Sequence, residues 1–537
     1  MVSADSDERL SRGAALLEWI KQEGGDVDAV RVGKGPGGVG VFAARDVKRG
    51  ESFFRCPLSC LMRATDAKTG ASGDDDDDPE LKSFVRALDA LKVNGTPIDD
   101  RVRLQLHLLN ECRRGAKSRW EPYIASLPGD ELVANLPISW DTKTLTRLLQ
   151  HTPMHGKVKE DKERLRRLSR SLAKDSKAFP PKFFGADRLT WAHAVYWSRA
   201  IRLKLPGGGF SSSTGDGKTD CLVPLLDSCN HEWRSRHETG RSHGTQSKPT
   251  MYTLDAGIDV TAGDELCINY GMKDNGELLT SHGFVVREHA KFDFTYLKLH
   301  EMPCAVRVEQ WRERLEAVRK VVGAKKGSHA EVNFQELPGG AGIVLGKFVP
   351  VAIAVARVLC APNDGYDYSD RYDRAMRYLK RGNYYYESED LGGLGVEGWN
   401  LRALARAAWR ELDACFHVNG IAKSLSNDEV GGGRGEAWES TPGAGAVDAC
   451  ALYVKTQMKL LRHASSPPGG TERDEEPKVR GILGEKRDRD DESSDSDIWD
   501  HDSDSDGTGS GSREGEDDCG EDELYEKIAD LPPRGWR

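Results

Sequence analysis

The sequence of 537 residues lacks long apolar runs and closely paired cysteines. No stretch approaches the ~20 consecutive apolar residues that span a bilayer, so we expect no membrane association. The 11 cysteines include no C-x-x-C pair, which argues against a disulfide scaffold or a zinc cluster. The N-terminus is acidic and has no apolar core, so we expect neither a secretory signal nor a transit peptide. These absences favour a cytoplasmic or nuclear location over a plastid one.

Positive charge is also scarce where a nucleic-acid-binding protein would concentrate it. The net charge of the whole chain is -10, but residues 471–537 alone carry 24 acidic and 10 basic side chains. The remaining residues therefore have a net charge of only +4, and no basic stripe accompanies that surplus. We expect no direct binding of nucleic acid. Residues 465–537 are rich in Asp, Glu, Ser and Gly and poor in aliphatics, which predicts a disordered acidic tail.

Helical patterns dominate the rest of the chain. An N-terminal helix is predicted within residues 1–25, capped by Ser6 or Asp7 and ended by two glycines. Residues 81–205 have mostly helical spacing, and further helices are predicted at 400–416 and 446–461. Residues 265–270 alternate between apolar and polar side chains, which predicts a strand that ends at Tyr270.

A glycine-rich loop near the start matches the dinucleotide-binding fingerprint as a string, Gly35-x-Gly37-x-x-Gly40. That fingerprint requires a helix that opens at the last glycine and holds a pyrophosphate at its N-terminus. Residues 39–47 instead have the pattern of a strand, so a nicotinamide site is disfavoured. Two interpretations remain, namely a plain hairpin loop or a loop whose backbone amides approach another ligand.

Two polar segments follow apolar stretches in the second half of the chain. The first contains Asp227, Asn230 and His231, and the second is Tyr270-Gly271. Taken singly, each has a structural interpretation that is more common than a functional one. Asp227 could cap a turn, Asn230 and His231 could be a hydrogen-bonded buried pair, and Tyr270 could be a ring of the core. Our hypothesis is that the two segments meet in space and form a methyl-transfer site.

Two other kinds of site are disfavoured. His231, His237 and His243 are spaced six residues apart in a polar loop without a carboxylate at ligand spacing, so we expect no metal. The Gly509-Ser-Gly511 string lacks the G-x-S-x-G spacing of a hydrolase nucleophile elbow.

The motifs taken in order resemble those of SET-domain methyltransferases. The resemblance rests on G-x-G with A-x-x-x-V-x-x-G-E near the start, D-x-x-N-H in the middle, and G-D-E-L-x-x-x-Y-G before N-x-x-L-L-x-x-x-G-F. W-x-P-Y-x-x-x-L-P at 120–128 and L-L-Q-x-T-P at 148–153 are similar to the branch of plant Rubisco large-subunit methyltransferase and its animal lysine and histidine methyltransferase relatives.

This resemblance implies an α+β protein with four parts. After the N-terminal helix (1–25) come a β-rich SET domain (26–285) with a helical insertion at about 64–205, and then an all-α substrate-binding domain (286–464). The acidic tail (465–537) ends the chain.

The resemblance also implies S-adenosylmethionine as cofactor and assigns site residues. Tyr270 would be the catalytic tyrosine. The implied cofactor-binding residues are Gly37, Gly38, Val39, Ser198, Arg199, Asp227, Asn230, His231, Gly283 and Phe284. Two departures stand out, because relatives often have Glu at the position of Gly37 and Asn-Pro soon after Phe284. Arg-Glu-His-Ala stands at 287–290 instead.

The implied activity is methylation of a lysine on a non-histone protein by a monomeric enzyme. Histidine is an alternative acceptor, because both side chains offer a neutral nitrogen. A second alternative is an inactive SET-fold protein whose acidic tail binds basic partners. Rubisco is a less expected substrate, because we expect no transit peptide.

Overall fold

The computed structural model describes residues 2–35, 38–69, 78–203, 218–242, 251–271, 273–286, 289, 293–296, 342–344, 347–348, 396–418 and 444–465. The chain divides into two compact units: residues 1–296, 343–346 and 407–462 form the first, and residues 297–342, 347–406 and 463–537 the second. The predicted substrate-binding domain is therefore shared between the two units. The predicted acidic tail lies outside the described residues, apart from its first residue.

The secondary structure is a mixture of helices and short strands, which confirms the α+β prediction. The helices are α1 (Val2–Gln22), α2 (Asp66–Thr69), α3 (Pro79–Ala90), α4 (Asp100–Arg114), α5 (Glu121–Ser126), α6 (Asp130–Ala134), α7 (Thr142–Leu149), α8 (Pro153–Leu172), α9 (Pro181–Phe184), α10 (Ala186–Arg199), α11 (Asn275–His282), α12 (Val396–Val418) and α13 (Ala444–Ser465). The strands are β1 (Val30–Gly35), β2 (Gly38–Ala43), β3 (Ser52–Pro57), β4 (Met62–Arg63), β5 (Lys92–Val93), β6 (Thr96–Pro97), β7 (Ile201–Leu203), β8 (Thr219–Leu222), β9 (Glu238–Ser242), β10 (Met251–Asp255), β11 (Phe294–Tyr296), β12 (Gly342–Val344) and β13 (Lys347–Phe348).

The N-terminal helix α1 packs on the β1–β2 hairpin and on α5. Its start differs from the prediction, because the helix begins at Val2 and places Ser6 and Asp7 inside it rather than at its cap. Helix and hairpin meet closely at Gly13, where an added Cβ would lie 2.7 Å from the side chain of Val32. A glycine at this position therefore brings α1 down onto the hairpin.

The glycine loop joins two antiparallel strands, with Gly35 opposite Gly38. No crossover helix follows, because β2 continues to Ala43. The hairpin interpretation is thus confirmed as local structure. A three-stranded antiparallel sheet, in the order β3–β10–β9, and a second one, in the order β4–β8–β7, complete the β-rich part that surrounds the site.

Helices α3 to α10 fill the stretch where helical spacing was predicted. Helix α4 begins at a cap in which the side chain of Asp99 accepts the Val102 N–H at 2.9 Å. Its apolar face, which includes Leu104 and Leu108, is buried against α10. This packing fixes the C-terminal end of α10, from which Arg199 extends toward the site.

Residues 265–270 do not form the predicted strand. They make isolated bridges, because the segment changes partner along its length. The Leu266 N–H donates to the Val41 carbonyl at 2.8 Å, whereas the Ile268 N–H donates to the Asn230 carbonyl at 2.9 Å. The alternation of apolar side chains thus predicted correctly which side chains are buried. It could not show that the backbone of this segment forms hydrogen bonds with two different neighbouring segments.

None of the helices in the described part of the chain is long and apolar enough to cross a membrane.

Candidate functional site

The two polar segments of the second half of the chain meet around Tyr270. The Tyr270 hydroxyl donates to the Cys229 carbonyl at 2.8 Å, and the Tyr270 N–H donates to His231 Nδ1 at 3.2 Å. The short turn before Cys229 contains Leu225 at φ +69°, a conformation that is costly for a branched side chain. Side-chain and backbone bonds thus fix the tyrosine on the 229–231 segment.

The half-buried Tyr270 ring is held as a protonated phenol. Burial raises the pKa of its hydroxyl, while Arg199 opposes the shift. The next residue, Gly271, has φ +93°, which lets the chain turn away directly after the tyrosine. The phenol can therefore donate a hydrogen bond but carries no negative charge.

Rings surround Tyr270. Its centroid lies 4.9 Å from that of His231 and 4.8 Å from that of His282, and Phe284 stacks on His231 at 6.1 Å. Gly283 caps α11 in the left-handed conformation, at φ +80°, so that the rings at 282 and 284 both reach the cluster. Burial lowers the pKa of both imidazoles, which are thus neutral near pH 7.

Within this cluster, His282 was not predicted as a site residue, although it directly precedes the Gly-Phe pair of the last motif. Its Nε2 atom is buried and has no hydrogen-bond partner among the residues that the structure describes. A buried ring nitrogen of this kind is an available hydrogen-bonding position beside the Tyr270 ring.

Asp227 is turned into the protein rather than toward an open surface. Its side chain is 1% exposed, and one carboxylate oxygen accepts the Tyr123 hydroxyl at 2.5 Å. Arg199 donates to the Asp227 backbone carbonyl at 2.5 Å and lies 3.7 Å from its carboxylate. Asp227 therefore holds Arg199 in place. Tyr123 was missed as a site residue, although it is the tyrosine of the W-x-P-Y motif.

Asn230 donates to the Glu265 carboxylate at 2.6 Å, and this pair lies against the glycine hairpin. An added Cβ at Gly40 would lie 2.5 Å from a Glu265 oxygen and 2.8 Å from Asn230 Nδ2, and one at Gly35 would lie 2.8 Å from the other Glu265 oxygen. The glycines are thus required by close approach. Glu265 was missed, although it belongs to the G-D-E-L motif. Gly37 lies outside the described residues.

A cavity is lined by residues of the hairpin, of α1 and of the end of α10. Val39, Arg199, Ser228, Ser126 and Arg9 line it, and the buried Nε atoms of both arginines have no hydrogen-bond partner in the part of the chain that the structure describes. Two guanidinium groups at one cavity suit a carboxylate ligand. The motifs gave no sign of Arg9, because it lies on a separate helix whose pattern is ordinary.

Other predicted residues lie outside this lining. His231, Tyr270 and Phe284 are members of the ring cluster, and Asn230 and Gly283 are their neighbours along the chain. Gly38, at φ +100°, lies at the turn of the hairpin. The Ser198 hydroxyl donates to the Ala194 carbonyl of its own helix at 2.8 Å and is thereby already engaged.

The described residues contain no group of three or more side chains that could hold a metal ion. The His237 ring packs edge-on against Phe53 at 5.3 Å. His243 lies outside the described residues.

Known proteins were compared with this chain by family model, by structure and by sequence. No protein-family model matches the chain. Among solved structures, the SET domain of LSMT bound to lysine and AdoHcy superposes with a TM-score of 0.56 at 16% identity, covering 85% of this chain and 90% of the other. Rubisco LSMT bound to AdoMet gives 0.53 at 16% identity, over 84% and 90%. The chain has the SET-domain methyltransferase fold.

The proteins that are similar to this SET-domain chain in sequence carry another enzyme name than these structural neighbours. Actin-histidine N-methyltransferase of Dasypus novemcinctus is 26% identical over 283 residues, which are 50% of this chain and 42% of the relative. The enzyme of Mus musculus is 25% identical over 283 residues, covering 50% and 41%. The chain thus spans about two fifths of the length of these relatives.

Proposed function

We propose that this SET-domain chain is an S-adenosylmethionine-dependent protein methyltransferase whose acceptor is a lysine side chain. The observation that carries the proposal is Tyr270, a protonated phenol held by Cys229 and His231 among neutral rings. The structural neighbours support the cofactor and the acceptor, since one is bound to AdoMet and another to lysine and AdoHcy.

The residues present fit the cofactor. Arg9 and Arg199 would bind its carboxylate, because both line one cavity and neither Nε atom has a hydrogen-bond partner among the described residues. Val39, which lines the same cavity, would lie along the amino-acid portion. Phe284 and His231, whose rings are nearly parallel at 26°, offer a flat surface for the adenine. The bound cofactor would supply a methyl group on a positively charged sulfur.

The protein's own residues would orient and neutralise the acceptor. A lysine in water is protonated, and entry into this partly buried ring cluster disfavours its charged form. The neutral imidazoles of His231 and His282 add no positive charge that would repel it. Alignment of the acceptor with the methyl group can supply roughly 7–11 kcal/mol of the barrier reduction, and the rigidly held Tyr270 defines that alignment.

A histidine acceptor is the second candidate. The curated relatives named above favour it, and so does the unpartnered Nε2 of His282. A neutral imidazole that donates its N–H to His282 would leave its second nitrogen free as the nucleophile.

The test uses the full chain, cofactor with a labelled methyl group, and a fractionated protein extract. Methyl transfer to lysine, located by mass spectrometry, would support the proposal, and transfer to histidine would favour the second candidate. Cofactor binding without any transfer would contradict both.

Tyr270→Phe should lower kcat at least tenfold while the affinity for cofactor changes less than twofold. Tyr196→Phe is the matched control, because its hydroxyl donates to Asp220, away from the ring cluster. A Tyr270→Phe variant as fast as the control would contradict the role assigned to the hydroxyl.

A further inference from the structure

His289 stands in the segment where the sequence departs from the family pattern, and it closes a chain of hydrogen bonds to Tyr270. The residue is 1% exposed. Its Nε2 lies 3.1 Å from His231 Nε2, and its Nδ1 lies 2.7 Å from the Lys273 carbonyl. His231 in turn accepts the Tyr270 N–H on Nδ1 at 3.2 Å.

These contacts allow one arrangement of protons. A carbonyl only accepts, so His289 Nδ1 carries the proton that bonds to Lys273. His289 Nε2 is then the acceptor for a proton on His231 Nε2. His231 Nδ1 remains unprotonated, as the bond from the Tyr270 N–H requires. In this arrangement each ring nitrogen acts as a donor or as an acceptor in the contact described for it.

We propose that His289 is a positioning residue for methyl transfer, which fixes the ring of His231 and through it the backbone at Tyr270. The inference rests on the proposed function. His231 alone could rotate about its side-chain bonds, whereas a bond at each ring nitrogen fixes its plane. Small displacements of a reacting group cost much of the rate, so this constraint acts on kcat.

A bridging metal is the main alternative for two facing imidazoles. A protein site for such an ion takes at least three protein ligands, and no third His, Cys, Asp or Glu joins these two among the described residues. A chelator distinguishes the two arrangements.

Two variants separate the two bonds of His289. The side-chain amide of Gln reaches the place of Nε2, so His289→Gln keeps an acceptor for His231 and loses the bond to Lys273. The amide of Asn reaches the place of Nδ1, so His289→Asn keeps a donor for Lys273 and loses the bond to His231. Each variant loses one buried hydrogen bond, so their stabilities should be similar.

The full chain is assayed at saturating cofactor with the protein substrate that the labelled-extract experiment identifies. His289→Asn should lower kcat about fivefold to tenfold, the size of one hydrogen bond, with KM within twofold. His289→Gln should stay within twofold of wild type. Equal losses of kcat in the two variants would mean a merely structural role and would overturn the proposal, as would a loss of wild-type activity on adding chelator.

Nitrogen-15 spectra of histidine-labelled protein provide a readout that needs no activity. The proposed chain of hydrogen bonds requires His231 to be protonated on Nε2 and His289 on Nδ1, and any other pattern overturns the proposal. If the wild-type protein binds cofactor but transfers no methyl group, the proposed function is refuted. The nitrogen-15 spectrum would still show whether the hydrogen bonds between Tyr270, His231 and His289 are arranged as proposed.

Discussion

Replacing Tyr123 with Phe removes one hydroxyl and little volume from the base of the site. Tyr123 is fully buried, and its hydroxyl is 2.5 Å from the Asp227 carboxylate. Hydrogen bonds to charged groups contribute about 1.5–3 kcal/mol. Arg199 remains 3.7 Å from the same carboxylate, so the loss should stay below the cost of breaking a whole buried pair. We expect the free energy of unfolding to fall by about 2 kcal/mol at pH 8.

The loss should depend on pH in a defined direction. Burial already raises the pKa of Asp227 above its ordinary value, while Arg199 and Tyr123 hold it down. Removing the hydroxyl raises that pKa further, so the variant is penalised only where Asp227 is ionised. As pH falls through the folded-state pKa, the carboxyl protonates and the deficit shrinks. The difference between variant and wild type should therefore be smaller at pH 5 than at pH 8.

Urea denaturation at both pH values measures this effect, with Tyr196→Phe as the matched control. Tyr196 donates to Asp220 at 2.8 Å, but the Asp220 side chain is 16% exposed and water can replace the lost donor. The control should lose less than about 1 kcal/mol. Equal losses in the two variants, or a Tyr123→Phe deficit that does not change with pH, would refute the reasoning. Cofactor affinity should also fall several-fold in Tyr123→Phe, because Asp227 holds Arg199.

Two further predictions concern the glycine hairpin and the cavity. Gly40→Ala forces a Cβ against Glu265 and should weaken cofactor binding, measured by calorimetry, at least tenfold. Gly156→Ala is the control and should have no effect, because Gly156 lies on α8 with open space around it. Unchanged binding in Gly40→Ala would mean that the hairpin shifts to make room for the added Cβ. Arg9→Met should raise the cofactor Kd about tenfold, as expected for one lost charged hydrogen bond. Arg12→Met is its control, since Arg12 pairs with Glu8 on the exposed face of α1, and equal affinities would remove Arg9 from the site.

The sequence alone determined most of the local structure and located the two segments in which we propose the chemistry. Periodic apolar residues predicted the helical stretch at 81–205 and the helices α12 and α13, and the glycine spacing with its strand pattern predicted the hairpin. These predictions succeed because the spacing of side chains over one or two turns fixes which face can be buried. The resemblance of the ordered motifs predicted the SET fold.

The tertiary structure decided which residues contact those two segments. Tyr123 meets Asp227 across 104 positions, and His289 meets His231 across 58. Arg9 reaches the cavity from a helix whose pattern is ordinary, and residues 265–270 bond to two neighbours instead of forming one strand. A pattern along the chain reports burial and turn geometry. The partner of a buried polar group is chosen only when distant segments pack together, because it must satisfy a donor or acceptor removed from water.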